Sequence, residues 1–279
     1  TGVYGFNEGN ADPTSIMIIE DSTITGGCLG VVVSQIGTAE VTRTHVTSGT
    51  TTTPDNDVCS ALELRNSSAA LVDGSILEIT YSGTQAPYGV RTTGTADLQI
   101  VNSAIRSSGH GSARALSLQT GSFLAANSYF SDGGNFGMSL LNASPITLVN
   151  NVFDLGYEIQ RGQLNTTIVA SDITLVSNRF VNTRSTYLQL VGTGGPISVT
   201  SSNYNNCGDW GCAEASGNSV GTANFVNEAG NDFTLNPGSE LIDTGTDPGT
   251  WFDPDLVDHD MYQTLRPLGS GWDIGPSEQ

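Results

Sequence analysis

Apolar and polar positions along the first 206 residues repeat in one eight-residue frame. The frame fits MIIEDSTI (17–24), AEVTRTHV (39–46), AALVDGSI (69–76), LQIVNSAI (98–105), FLAANSYF (123–130), ITLVNNVF (146–153), ITLVSNRF (173–180) and ISVTSSNY (197–204). Its third position is apolar throughout: Ile19, Val41, Leu71, Ile100, Ala125, Leu148, Leu175 and Val199. Its eighth is β-branched or aromatic, from Ile24, Val46, Ile76 and Ile105 to Phe130, Phe153, Phe180 and Tyr204. Its sixth is small or an amide: Ser22, Thr44, Gly74, Ser103, Ser128, Asn151, Asn178 and Ser202. Alternation over the first half predicts a strand with one buried face, and the polar pair at positions five and six predicts a sharp corner.

A second strand precedes each frame, at Val3–Phe6, Leu29–Val33, Ala61–Leu64, Tyr88–Arg91, Ala115–Leu118, Phe136–Leu140, Thr166–Val169 and Tyr187–Leu190. A period of about 25 residues with variable loops suits a parallel β-helix, whose corners absorb insertions without disturbing the stack. The expected fold is therefore all-β: a right-handed parallel β-helix of about eight coils over residues 1–206. A loop-rich C-terminal cap over 207–279 completes the same domain. A sandwich of antiparallel hairpins explains neither the ladder nor the scarcity of Asn-Gly and Asp-Gly turns. With a strand starting at residue 3, the first coil is expected to be uncovered. That end would suit a longer parent rod or end-to-end association.

Composition narrows the partners. The formal net charge is −19 although only 13% of residues are charged, and all nine basic residues are Arg. Nucleic acids and anionic membranes need concentrated Lys and Arg, so they are excluded as expected partners. Glycans, divalent cations and proteins stay open. No apolar run reaches the ~20 residues of a membrane span. Thr1 is not a natural start, so processing or trimming is expected to have removed what preceded it. Cys28 and Cys59 each come just before a first strand in adjacent coils, and Cys207 and Cys212 can close a tight loop. Two disulfides, 28–59 and 207–212, are expected, with an extracytoplasmic location.

The C-terminal stretch carries a resemblance. Asn231-Asp-Phe-Thr-Leu-Asn-Pro-Gly-Ser-Glu-Leu-Ile-Asp243-Thr-Gly, Leu265-Arg-Pro267, Trp272-Asp-Ile-Gly275 and Glu278 follow in order. Together they resemble the closing signature of secreted bacterial β-helix repeat proteins of the "choice-of-anchor" type. Ser239-Glu240-Leu241 stands where that family has Ser-Pro-Ala, and Pro276 where it has Ala. The resemblance implies a secreted, often surface-attached bacterial protein. It implies no single activity, since polysaccharide lyases and adhesin-like proteins both occur on the fold. Phe225, Phe233, Leu235, Leu241, Ile242 and Ile274 are expected to cover the last coil.

Four groups of residues are candidates for chemistry. Asp253, Asp255, Asp258 and Asp260 place four carboxylates within eight residues, a calcium-like density without EF-hand spacing; a solvated loop is the plainer reading. Arg106, His110 and Arg114, with Tyr88 and Arg91 one coil earlier, could line a basic groove for a uronic-acid polysaccharide. Lyases on this fold use Arg or Ca²⁺ on the carboxylate and Lys, Arg, His or Tyr on the proton; ordinary surface Arg is the alternative. Trp210, Trp251, Tyr157 and Tyr187 could stack on sugar rings or pack loops. Asp73, Asp97, Asp132, Asp154, Glu158 and Asp172 show no glycosidase pairing in sequence. Sequons at Asn66, Asn142 and Asn165 matter only in a eukaryotic secretory pathway. The leading expectation is a non-catalytic surface β-helix binding glycan or protein partners; the alternative is a lyase acting on an acidic glycan.

Overall fold

The computed structural model describes residues 3–6, 12–49, 58–66, 69–81, 83, 86–94, 96–133, 137–155, 159–161, 173–181, 186–192, 195–200 and 214–279. It is all-β with parallel sheets, a β-solenoid with almost no helix. Among the described residues no helix is long and apolar enough to cross a membrane.

Each winding carries three strands, consistent with the at least two expected, because the corner splits the frame. The first ladder begins with Val3–Phe6, Leu29–Ser34, Ser60–Arg65 and Tyr88–Thr93. The second begins with Asp12–Glu20, Ile36–Thr42, Ala69–Asp73 and Asp97–Val101. Arg114–Ala126 and Met138–Val149 run unbroken through both, fusing the two ladders into one sheet. The third is separate and holds Thr23–Gly26, His45–Ser48, Ile76–Thr80, Ala104–Ser108, Tyr129–Asp132, Val152–Leu155, Arg179–Phe180 and Ser219–Val220, all parallel.

The frame's corner has a specific chemistry. Position five is left-handed from winding to winding: Asp21, Arg43, Gly74, Asn102, Asn127, Asn150, Ser177 and Gly217 have φ between 45° and 66°. Asn, Asp and Gly tolerate that region best, and they hold six of the eight places. Position six then turns inward. The amide N–H of Thr44 donates to Ser75 Oγ (3.0 Å), Ser75 to Ser103 Oγ (3.1 Å) and Ser103 to Ser128 Oγ (3.2 Å). Asn takes over as acceptor, with Ser128 donating to Asn151 Oδ1, Asn151 to Asn178 Oδ1 and Asn178 to Asn218 Oδ1. The chain thus satisfies buried backbone donors that a corner would otherwise orphan.

This chemistry corrects two frames. Val41 pairs with Val72 and Val46 with Leu77, so the third frame begins one residue later than Ala69. Val72 and Leu77 point inward, fully buried, while Leu71 and Ile76 face outward. The left-handed site selects Gly74 over Asp73, and the hydroxyl ladder needs Ser75. The eighth frame is expected at 197–204, but the strand Gly195–Thr200, which contains its start, runs antiparallel to Thr186–Gly192. Its place is filled by Glu214–Ser216 and Ser219–Val220, with Gly217 left-handed and Asn218 completing the amide ladder. Ile159–Arg161 supplies the seventh first-ladder strand; the expected strand at Thr166–Val169 lies outside the described residues.

Inside, position three stacks Ile19, Val41, Val72, Ile100, Ala125, Leu148 and Leu175 in one core. Position eight ends in a ring stack, Phe130 to Phe153 at 5.3 Å and Phe153 to Phe180 at 5.4 Å. Cys28 and Cys59 form the expected disulfide, bridging adjacent first-ladder strands. Cys207 and Cys212 lie outside the described residues.

The C-terminal segment departs from its expected place. Phe233, Leu235, Leu241 and Ile274 pack on Ala104, Tyr129 and Val152, with Phe225 and Ile242 alongside. Phe252 and Val257 pack on Val101, Ala126, Val149 and Val176. Those solenoid residues occupy positions seven and four, the outward neighbours of the corner. The segment therefore straddles the corner along the flank instead of covering the last coil. Asn102 Nδ2 donates to Leu256 O (2.8 Å), and Asn150 exchanges bonds with Thr246 O and N, so position five also anchors it.

Residues of the C-terminal signature hold this strap together. Arg266, fully buried, pairs with Glu278 at 3.0 Å and donates to Asp273 O and Gly275 O. Ser239 Oγ donates to Ala223 O.

Candidate functional site

The strap forms one wall of a cavity whose floor is the outer face of the third ladder. One position past the frame's end, Thr47, Glu78, Arg106, Ser131 and Asp154 lie side by side across successive strands. They face outward because their neighbours Leu77, Ile105, Phe130 and Phe153 point into the core. The next outward row is Thr80, Ser108 and Gly133. With Asp132 below and Glu228 from the strap above, Glu78, Arg106, Ser131, Asp154 and this outer row line a half-open cavity of about 250 Å³.

Two polar groups organise the lining. At one end Glu78 Oε1 is bonded by His45 Nε2 (2.9 Å) and Thr47 Oγ1 (3.1 Å). Asn231 Nδ2 donates to Glu78 Oε2 (3.4 Å), and Arg106 lies 3.7 Å from the same oxygen. Burial works to raise this carboxyl, but the bonds from His45, Asn231 and Thr47 prevail and hold it below the usual range. Arg106 Nη1 also donates to Asn231 Oδ1 (2.5 Å), so its charge is already engaged.

At the other end the Tyr129 hydroxyl donates to Glu228 Oε1 (2.5 Å) and lies 3.4 Å from Asp154 Oδ2. Asp154 comes from the solenoid and Glu228 from a 3₁₀ turn, Glu228–Gly230, capped by Asn227. Burial, and then the Glu228 charge, push the Asp154 carboxyl above its ordinary range, against the opposing effect of the Tyr129 hydroxyl. Burial chiefly raises the Tyr129 phenol as well, so it stays protonated and donating. The cavity thus offers the Asp154 carboxyl, held above its ordinary range, a second carboxyl bonded by a phenol, and a floor of hydroxyls. This arrangement can accept and donate hydrogen bonds to a polyhydroxylated ligand, and can exchange protons with it.

Of the candidates named from sequence, Arg106, Asp132 and Asp154 line this cavity, and the other described ones fall elsewhere. Tyr88, Arg91 and Arg114 cluster on the first ladder. Arg91 and Arg114 sit over the Tyr88 ring at 5.8 and 5.6 Å, and Arg114 Nη1 donates to the Tyr88 hydroxyl (3.0 Å). Buried Glu63 pairs with Arg91 at 3.0 Å and with Arg65 at 2.8 Å. His110 lies in a turn, where its Nδ1 accepts from Ser112 N–H (3.0 Å). The five proposed lyase residues are therefore distributed over two ladders and a turn rather than in one groove.

Trp251, itself on the strap, packs partly buried against the apolar seam with the solenoid. Tyr187 lies in the strand Thr186–Gly192; Tyr157 and Trp210 lie outside the described residues. The four aspartates also separate. Asp253 caps the short helix Pro254–Val257, whose first turn contains Asp255. Asp258 bonds His259. Asp260, buried, accepts from the N–H groups of Tyr262, Thr264 and Glu278. Among the described residues, no group of three or more His, Cys, Asp or Glu side chains is placed to hold a metal ion.

Sequence reasoning missed Glu78, Tyr129, Asp132, Asp154 and Glu228 as a group. Extending the frame one position beyond its apolar end exposes the row Thr47, Glu78, Arg106, Ser131, Asp154. Glu228 carries no such signal, because only the fold of the strap brings it over that row.

No protein-family model, curated protein or solved structure matches the chain.

Proposed function

We propose that this chain is a secreted, surface-associated β-helix domain that binds an uncharged glycan in the cavity between its third ladder and its C-terminal strap. One observation carries this reading: a cavity lined by hydroxyls and carboxylates from four successive parallel strands, with Glu228 of the strap above them. Carboxylates accept hydrogen bonds from sugar hydroxyls, and a spacing of about 4.8 Å between strands offers an extended sugar chain a contact at every winding. Four lining carboxylates against one engaged Arg disfavour a uronate. Protein partners and end-to-end association through the N-terminal coil remain secondary to that reading.

The same proposal takes the winding as right-handed, with eight coils, supported by the eight-stranded third ladder and the near-universal handedness of parallel crossovers. It takes the C-terminal signature as that of the bacterial choice-of-anchor type. The Cys28–Cys59 disulfide supports an oxidising, extracytoplasmic setting.

The test is calorimetric titration of the intact protein with soluble uncharged polysaccharides (mannan, xylan, β-glucan) and with polygalacturonate. Ser131→Trp fills the cavity while leaving its charged residues in place. Binding of an uncharged polymer that falls at least about tenfold in this variant is the expected result. Affinity unchanged by Ser131→Trp removes the cavity from the reading.

A further inference from the structure

We propose that Tyr129, Asp154 and Glu228 form a proton-dependent latch between the strap and the third ladder, closed while Asp154 holds a proton and released when both carboxyls are ionised. The latch concerns how one wall of the cavity is held, and it stands apart from the glycan-binding reading. Three oxygen-bearing groups from two segments meet at one point. Tyr129 and Asp154 come from neighbouring strands of the ladder, and Glu228 comes from the strap. The buried phenol has one proton to give. That proton goes to Glu228 Oε1 (2.5 Å), while Asp154 Oδ2 lies 3.4 Å from the same hydroxyl. An ionised Asp154 therefore faces a donor already spent on a second carboxylate. A protonated Asp154 removes one of two like charges and adds a donor to the cluster.

The tip that carries Glu228 can lift without unpacking its base. Glu228 leads the 3₁₀ turn Glu228–Gly230, which joins the antiparallel strands Phe225–Asn227 and Asp232–Leu235 and has no buried residue. The base of this hairpin is apolar: the Tyr129 ring packs on Phe225 at 5.5 Å and on Phe233 at 5.1 Å. Charges around the pair sharpen the imbalance. Asp132, on the same strand as Tyr129, adds a third carboxylate to the cavity. Arg106 is engaged by Asn231 and Glu78, Glu78 also by His45, and Arg179 of the next winding by Glu240 of the strap. Asp232, on the returning strand, bonds the N–H of Thr234. Burial, and then the Glu228 charge, hold Asp154 above its ordinary value of 3.8, with the Tyr129 hydroxyl opposing and Asp132 adding to the rise. The closed latch is therefore fully present below that ordinary value and is lost as pH rises through the raised one.

Hydrogen exchange of the intact protein, corrected for intrinsic rates, is followed at the amides of Gly230 and Asn231 between pH 4.5 and 7.5. These amides bond Asn227 Oδ1 and Glu228 O within the turn. His259, raised to about 9, keeps its charge over that range and leaves the other strap contact unchanged. Protection is expected to be at least about fivefold lower at pH 7.5 than at pH 4.5, while Phe233 and Asn236 at the hairpin's base change by less than about twofold. Asp154→Asn keeps a neutral side chain with a donor, so it holds the acid-side protection at both pH values. Glu228→Gln, made on the strap, gives the same flat profile, and the test therefore survives misfolding of the ladder variant. Tyr129→Phe keeps the ring between Phe225 and Phe233 but lowers protection at pH 4.5 as well. Equal protection at both pH values in the unaltered protein overturns the latch. A full pH response retained in Asp154→Asn and Glu228→Gln also overturns it, by placing the titrating group elsewhere.

Discussion

A buried polar residue at each described corner after the first is the feature on which this fold depends most. Asn151 shows why an amide is used there. It is fully buried; its Oδ1 accepts from Ser128 N–H at 3.1 Å, and its Nδ2 donates to Ala125 O at 2.8 Å and Asn178 Oδ1 at 3.1 Å. Ser at the same position upstream accepts the neighbouring N–H but returns its own proton to a nearby carbonyl, as Ser128 Oγ does to Ala126 O. Asn reaches further, tying three windings at once. Replacing Asn151 by Val takes its side-chain partner from the buried Ser128 N–H and from the Ala125 carbonyl, while Asn178 Oδ1 keeps the Asn151 N–H, at a cost of about 2–4 kcal/mol. Asn151→Ser keeps an acceptor and is expected to cost about half as much. Urea midpoints at constant slope separate the two. Equal losses would mean that the residue acts by filling space, and the ladder would lose its role in stability.

At the scale of the element, the strap and the solenoid are joined by a charge that titrates. His259, on the strap, lies 3.5 Å from Asp73 on the second ladder and 2.9 Å from Asp258 beside it. The bond to Asp73, reinforced by Asp258 and opposed by burial, raises the imidazole from 6.5 to about 9. Because the folded value lies above the unfolded one, the stabilisation is fully present below about pH 6.5 and disappears as pH rises through 9. After allowance for solvent screening it amounts to about 1–2 kcal/mol. Thermal melts of the protein and of His259→Gln should therefore differ most at pH 6 and converge by pH 10. A gap that persists unchanged across that range would show that His259 holds the strap by shape rather than charge. The same scale shows what the sequence could express. Position three, position eight and the polar corner made the ladder legible, because a stack must bury the same places at every turn. The third frame slipped by one residue because Leu71 and Ile76 are as apolar as Val72 and Leu77, and only the needs of Gly74 and Ser75 break the tie. The strap's position was also written, though less plainly. Position four turns from Glu20, Thr42 and Asp73 to Val101, Ala126, Val149 and Val176, and position seven holds Ala104, Tyr129 and Val152 where the strap covers them. An outward row that becomes apolar for a few windings marks a covered flank. The cavity was not legible in the same way, since Asp154 and Glu228 are distant in sequence and joined only by the path of the strap.

For the whole molecule, the question is which surface meets a ligand. The chain carries a formal charge of −19, yet its few Arg side chains are not spread evenly. Arg65, Arg91 and Arg114 lie on the first ladder around Tyr88 and Glu63, whereas the cavity on the third ladder has Glu78, Asp132, Asp154 and Glu228 around a single Arg106. A polyanion approaching the cavity meets both the local carboxylates and the field of the molecule. That field reaches roughly 30 Å at 0.01 M salt and only about 3 Å at 1 M. An uncharged polysaccharide bound in the cavity should then keep its affinity within about twofold across that range, since hydrogen bonds to its hydroxyls release no counterions. A uronate polymer of similar backbone should bind more weakly at low salt and gain about tenfold as repulsion is screened. Titrations at the two salt concentrations read the difference directly. The opposite trend, a uronate polymer held most tightly at low salt, requires a site where cations dominate. Arg91 and Arg114 over Tyr88 are the described residues that meet that condition, so this outcome would move the ligand from the third ladder to the first. The cavity variant Ser131→Trp would then bind like the unaltered protein, which makes the two surfaces separable by one mutation and one change of buffer.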